Sequence, residues 1–176
     1  GIIDTGCLHG LLPGGKSVNV ENFKKQYAEI SGGSVPASAG LSITDILIGC
    51  VSGNIKTLYI MGEDALAGFP DKKLVKDALS KIEFLVVHDI FPSEVSQHAH
   101  VVMPSLSWLE KDGTQTNIEG VVQHSGKGVY NAGVPDWKML SEIAEMMGHD
   151  LGFKDTASVF AEIGRFVPGY ASKINI

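Results

Sequence analysis

The chain has 176 residues, 44% of them hydrophobic and 19% charged, with a formal net charge of −6. This composition belongs to a folded globular protein and excludes a disordered one, and no apolar run approaches the roughly 18–20 residues that cross a bilayer, so no direct membrane span is expected. Lysine and arginine never run longer than the pairs Lys24-Lys25 and Lys72-Lys73, and without a basic face to neutralise phosphates nucleic acid is excluded as a partner.

Residues 1–15, punctuated by glycines and Pro13, are expected to be loop with at most one turn of helix. "VNVENFKKQYAEISGG" spaces Val20, Phe23, Tyr27 and Ile30 at helical intervals and ends in glycines, which predicts a helix. "SVPASAG" is a small-residue linker. "LSITDILIGCVSGNIK" predicts a second helix with Ile43, Ile46, Leu47 and Val51 on its buried face, Ser42 or Thr44 as cap and Gly53 as stop. From there the pattern alternates. "KTLYIMG" is a short strand ending in glycine, and "PDKKLVKDALSKI" an amphipathic helix with Leu74, Val75, Ala78, Leu79 and Ile82 on one side. "EFLVVHD" is an apolar strand of the kind covered on both faces, "PSEVSQHA" a short helix and "HVVMP" a third strand. This alternation predicts an α/β fold, doubly wound, with a parallel sheet. "WLEKDGTQTNIEGVVQ" is polar and reads either as a hairpin turning at Asp112-Gly113 or as a loop that holds a ligand. Helices resume at "PDWKMLSEIAEMMG", where Met139, Met146 and Met147 read as core filler, and at "TASVFAEIGRFV". The chain is expected to form a single α/β domain over residues 1–176, with 1–40 a peripheral loop-and-helix segment. It starts at Gly1 rather than Met, which we read as an excised piece of a longer protein, and no signal peptide pattern is present.

Ligands of an open parallel sheet sit beyond the carboxyl ends of its strands, near a switch in strand order. The residues in that place are Gly62-Glu63-Asp64, His88-Asp89 and Pro104-Ser105. Gly62 would let the backbone approach a ligand closely. A carboxylate there accepts two hydrogen bonds from a ribose diol, or from N1 and the exocyclic amine of guanine, which makes Glu63 and Asp89 the candidates for nucleoside recognition. A surface acid capping the next helix is the competing reading, and spacing alone leaves it open. The dinucleotide fingerprint G-x-G-x-x-G and a P-loop lysine are absent, and "LLPGGK" follows no convincing strand, which argues against NAD-type binding.

His88, His98 and His100 invite a metal site. Positions two apart on a helix diverge, however, no cysteine lies nearby and H-E-x-x-H is absent, so they read as surface histidines and no metal site is expected. Ser105 and Ser107 lack a nucleophile elbow. Cys7 reads as a small buried thiol. Cys7 and Cys50 are too few for a disulfide framework or a closed zinc site, and two free thiols point to a reducing compartment, the cytoplasm.

Three stretches, "LYIMGEDALAGFPD", "FLVVHDIFPSEVSQHAHVVMPSLSWLEKDGTQTNIEGVVQ" and "PDWKMLSEIAEMMG", resemble consecutive motifs of the molybdopterin oxidoreductases, the superfamily of formate dehydrogenase, nitrate reductase and the large iron–sulfur subunit of respiratory complex I. In that family an apolar strand and aspartate are followed by a Thr-Glu-Thr-Ala helix start, "ADVVLP" and "EKxGTxTNxEGRxQ". The opening "DTGCLHGLLPGG" resembles a further segment of its formate-dehydrogenase-like members. The likeness covers essentially the whole chain, and "EKDGTQTNIEG" is long enough to be specific.

The resemblance implies a Rossmann-like, doubly wound α/β domain with a mainly parallel sheet and flanking helices, of the type found in formate dehydrogenase and DMSO reductase, cradling half of a bis-molybdopterin guanine dinucleotide. Carried over residue by residue, the cofactor-binding positions fall on Gly62 and Glu63, on Asp89 as the guanosine-binding aspartate, and on Ser93 and Glu94 at the helix start. Lys111, Gly113, Thr114, Thr116 and Asn117 are placed close to the same cleft. No catalytic residue or metal ligand is implied within the chain; molybdenum or tungsten and the iron–sulfur clusters would be bound outside it. The implied partners are the remaining domains of the same subunit and other respiratory or dehydrogenase subunits. Since the electron chemistry belongs to the cofactor, the parent is expected to be an oxidoreductase of formate or NADH dehydrogenase type, and the fragment alone is not expected to turn over. Val95 stands at a family threonine, His100 at an aspartate and Val121 at the arginine of "EGR". These departures support a second reading, a structural domain of a respiratory complex that has lost the pterin. A third is an unrelated nucleotide-binding α/β domain, against which the "EKDGTQTNIEG" block counts.

Overall fold

The computed structural model describes residues 1–33, 35–167, 169–170 and 174–175; Ser34, where the expected linker begins, lies outside them. In chain order the elements are β1 (Leu11–Leu12), β2 (Lys16–Ser17), α1 (Glu21–Ser31), α2 (Ile43–Val51), β3 (Thr57–Met61), α3 (Ala65–Gly68), α4 (Lys72–Lys81) and β4 (Phe84–Asp89). A 3-10 turn (Val95–His98), β5 (Val101–Pro104), β6 (Gly113–Thr116), β7 (Val122–Ser125), α5 (Asp136–Met146), α6 (Thr156–Phe166) and β8 (Ile174–Asn175) follow. They fall into two compact units, one of Leu41–Ser107 and Asn131–Asp136, the other of Gly1–Gly40, Trp108–Tyr130 and Trp137–Ile176. No helix among the described residues is long and apolar enough to cross a membrane.

In the first of these units β3, β4 and β5 form a parallel sheet in that order. Leu58 pairs with Leu85 and Ile60 with Val87, so these side chains share one face. There they pack with Leu47 and Cys50 of α2 and with Val75, Ala78 and Leu79 of α4. The phase of α4 is the one its sequence predicts, and Asp71 Oδ1 caps it by accepting the Leu74 N–H at 2.9 Å. Ser42 caps α2 through the Asp45 N–H at 3.2 Å, but the buried face of α2 differs from the expected one. Leu47 and Cys50 are buried with Ile46 beside them, while Ile43 and Val51 are exposed. With Ile43, Ile46, Leu47, Ile48 and Val51 the helix is apolar on nearly every side, so periodicity does not fix its phase. The opposite face of the sheet also departs from expectation: Phe84 of β4 is exposed, as are Tyr59 and Met61 of β3 and Val101 of β5.

In the other unit α1 ends where expected, with Gly32 at φ 67°. Tyr27 of α1 stacks on Phe166 of α6 with ring centroids 4.7 Å apart, and Arg165 Nη2 donates to the Ile30 carbonyl at 2.8 Å. Asp155 and Ser158 cap α6 reciprocally. Hydrogen bonds from Ser158, its backbone N–H foremost, hold the Asp155 carboxyl below its usual range. That cap therefore contributes above the ordinary carboxylate range and is lost as pH falls through the lowered folded value.

β6 and β7 form an antiparallel hairpin with Thr114 opposite His124, and β8 joins β7 in parallel. The turn is at residues 117–121, not at Asp112-Gly113, because Gly113 already pairs with Ser125. Asn117 Oδ1 accepts the Glu119 and Val121 N–H groups at 3.0 and 2.9 Å, and Gly120 takes φ 78°. An asparagine that substitutes for a backbone acceptor, followed by a left-handed glycine, closes the loop locally. Two further expectations fail here. Met146 and Met147 are 87% and 72% exposed, since they lie at the end of a helix with no buried residues. Cys7 is exposed, whereas Cys50 is the buried thiol.

Candidate functional site

The carboxyl edge of the parallel sheet gathers Gly62, Glu63 and Asp89 on neighbouring strand ends. Gly62 has φ 64°, its N–H donates to the His88 carbonyl at 2.9 Å, and open space surrounds the position where a Cβ would stand. The capping role belongs to Asp64, whose Oδ1 accepts the Leu66 and Ala67 N–H groups of α3 at 3.2 and 3.3 Å. Glu63 is thereby left out of the cap. It is exposed, with Oε1 lying 2.9 Å from the point a Cβ on Gly68 would occupy. Asp89 is half-buried; one oxygen accepts the Ile90 N–H at 2.7 Å, and its carbonyl accepts the Ser105 N–H at 2.9 Å.

Ser93 and Glu94 follow β4 in the chain and are engaged locally. Ser93 Oγ accepts the Ser96 N–H at 3.2 Å while Ser96 Oγ accepts the Ser93 N–H at 3.0 Å. Glu94 pairs with Lys76 at 3.4 Å on an exposed surface, where such pairs contribute little.

His88 is not the surface histidine its sequence context predicts, being 0% exposed. Its Nδ1 meets the Tyr59 hydroxyl at 2.8 Å. Its Nε2 faces Asp136 Oδ1 across 3.3 Å, an ion-pair separation rather than a formed hydrogen bond. The same Oδ1 accepts Ser105 Oγ–H at 2.5 Å, and Tyr59 also reaches Met103 Sδ at 3.6 Å. Burial, with the Asp136 carboxylate adding to it, pushes the Tyr59 phenol up, so Tyr59 stays a hydroxyl donor. Ser105, His88 and Asp136 are the residue types of a hydrolase triad in the wrong order. The serine donates to the carboxylate, and nucleophilic activation needs it on the imidazole. His98 is exposed, and His100 Nδ1 accepts the Leu85 N–H at 3.0 Å.

The other predicted residues lie in the second unit. Thr114, Thr116 and Asn117 line an open cleft of about 780 Å3 together with Asp4 and Tyr170, while Lys111 is half-buried and Gly113 starts β6. Tyr170, 4% exposed, donates its hydroxyl to Asp4 Oδ2 at 3.0 Å and so accepts from Thr116 Oγ1, also at 3.0 Å. Burial pushes this phenol up; the Thr116 bond opposes that and Asp4 reinforces it. Sequence reasoning missed Tyr59, Asp136 and Tyr170, and it named His88 only as a surface histidine. A histidine inside the apolar run "FLVVHD" is a signal of burial, but its partner is 48 residues away (136 − 88) and no local pattern points there.

Residues 8–146 match the family model "Molybdopterin oxidoreductase". The chain is 38% identical over 175 residues to the F420-dependent formate dehydrogenase 1 subunit alpha of Methanococcus maripaludis, covering 97% of this chain and 26% of that protein. It is 36% identical over 174 residues to the NADPH-Fe(3+) oxidoreductase subunit alpha of Geobacter sulfurreducens, covering 98% of this chain and 20% of that one. The chain thus spans about a fifth to a quarter of the length of these curated relatives. Among solved structures, acetylene hydratase from Pelobacter acetylenicus superposes with a TM-score of 0.64 at 20% identity, over 81% of this chain and 22% of that one; at that identity the likeness concerns the fold. A family match over most of the chain and the α/β architecture with its parallel sheet agree: this chain belongs to the molybdopterin oxidoreductase family.

Proposed function

We propose that this chain is the segment of a formate-dehydrogenase-type subunit that cradles the guanine-nucleotide part of a molybdopterin guanine dinucleotide. The observation that carries it is the pair of carboxylates at adjacent strand ends, Glu63 exposed and Asp89 half-buried, beside the open, left-handed Gly62. These residues fit the group. A guanine edge and a ribose diol present donors, and ionised carboxylates are pure acceptors. One Asp89 oxygen is taken by the Ile90 N–H, and the second is the acceptor we assign to the nucleotide. Ser93 and Glu94, engaged with Ser96 and Lys76, belong to the same unit, while Lys111, Gly113, Thr114, Thr116 and Asn117 are assigned to the cofactor by the family resemblance alone. When bound, the cofactor supplies the redox metal, molybdenum or tungsten; its ligand and the iron–sulfur clusters come from the rest of the subunit. This chain's own residues bind and orient the nucleotide and move no electrons or protons to substrate. The partners in this reading are the remaining domains of the subunit and its sister subunits, working in the cytoplasm.

Val95 favours a second reading, a domain that keeps the architecture without the pterin. It is fully buried in the core and offers no hydroxyl where the family has a threonine. Titrating the chain with GMP and following backbone amide shifts separates the two. The cofactor reading expects saturable shifts at residues 62–64 and 88–90, and the absence of any saturable shift there removes it.

A further inference from the structure

After Ser107 the chain contributes one more stretch to the parallel-sheet unit, Asn131–Asp136. It belongs to no strand or helix until Asp136 begins α5. A Cβ on Gly133 would fall 2.6 Å from Leu106 Cδ2, so the stretch lies close on the residues that follow β5, and Asn131 Oδ1 shapes its turn by accepting the Gly133 N–H at 2.8 Å. Its far end is fixed by Asp136, which receives Ser105 Oγ–H and faces His88 Nε2. His88 pairs with Met61 on one side and Met103 on the other, so His88 shares its sheet face with Tyr59, Met61, Phe84 and Val101. Those four are exposed while His88 is not.

We propose that residues 131–136 form a strap that opens and closes over this end of the sheet, with the His88–Asp136 pair as its latch. At 3.3 Å and without a formed hydrogen bond, the His88–Asp136 contact is a loose one, which suits a contact that is made and broken. The charged and titratable groups facing His88 are Tyr59 from β3 and Asp136 from the strap, with Met103 of β5 and Ser105 just after it completing the array. The array is complete in either protonation state of the ring. A neutral imidazole accepts the Tyr59 hydroxyl at Nδ1; an imidazolium donates Nδ1–H to Tyr59, whose hydroxyl then turns to Met103 Sδ. Nε2–H faces Asp136 in both, so the latch holds without a change in heavy-atom positions. Opening would bare His88 and Ser105 next to Asp89, whose carbonyl holds the Ser105 N–H. The strap does not depend on the cofactor reading.

Peptide-level hydrogen–deuterium exchange on the intact protein tests it. In the wild type, residues 131–136 should exchange through local opening faster than residues 84–87 of β4. Asp136→Asn and His88→Gln should each speed exchange of the strap by about tenfold or more, the effect of losing a charge-assisted contact, with β4 protection unchanged. Tyr59→Phe, which removes the Nδ1 partner while keeping the ring, should give a smaller increase in the same peptide. Unchanged strap exchange in all three variants overturns the latch, as does an increase shared equally by β4, which would make the pair part of global stability.

Discussion

Leu85→Ala is expected to destabilise the protein by about 2–5 kcal/mol, seen as a large drop in the urea midpoint. Leu85 is 0% exposed on the middle strand of the parallel sheet, packed among residues of α2, α4 and β3. Its backbone is fixed on both sides by His100, whose Nδ1 accepts the Leu85 N–H at 3.0 Å and whose N–H donates to the Leu85 carbonyl at 2.8 Å. Collapse into the vacated space is therefore restricted, which places the cost toward the upper end. Against a total stability of roughly 5–15 kcal/mol this is a large share. Ile43→Ala is the companion measurement. At 47% exposed it should change stability by no more than about 0.5 kcal/mol. A comparable loss in both variants would restore the α2 face that periodicity predicts.

The second large effect is expected at the strand ends. Asp89→Asn and Glu63→Gln should each weaken GMP binding by about tenfold or more, since a hydrogen bond to a charged partner contributes about 1.5–3 kcal/mol. Asp89→Asn is the sharper of the two. Its amide oxygen can still accept the Ile90 N–H, which turns the NH2 group toward the donors of a guanine edge and sets donor against donor. Glu83→Gln, which breaks an exposed pair with Lys56 at 2.8 Å, removes the same charge from the same unit and should leave binding unchanged. Equal losses in all three variants would mean that net charge, not the paired carboxylates, governs the site.

The parallel sheet was legible because its parts carry local signals. "LYIM", "LVVHD" and "VVMP" are short apolar runs, and between the first two α4 has polar and apolar residues sorted cleanly onto opposite sides. Where that contrast fails, the reading fails with it, as in α2, whose apolar residues surround the axis. The hairpin of residues 113–125 was misplaced for a related reason. "GTQT" has no apolar alternation to set a register, so Asp112-Gly113 competed with the turn that Asn117 and Gly120 form. Gly62, Glu63 and Asp89 could be placed because strand ends follow from strand assignments. The assignment of the cap to Asp64 rather than Glu63 needed coordinates, as adjacent acids look alike in one dimension. His88 and Asp136 meet only through the tertiary fold, and Tyr170 reaches Thr116 and, across most of the chain, Asp4.

The most direct test is the cofactor content of the intact protein, purified natively from its own source. Molybdenum or tungsten is measured by elemental analysis, and guanine nucleotide is measured in an acid extract. The expected result is metal and guanine nucleotide in constant proportion to protein, both diminished in the Asp89→Asn variant. Protein that is folded yet carries neither metal nor extractable guanine nucleotide would contradict the cofactor-cradling role and leave the architecture without its ligand.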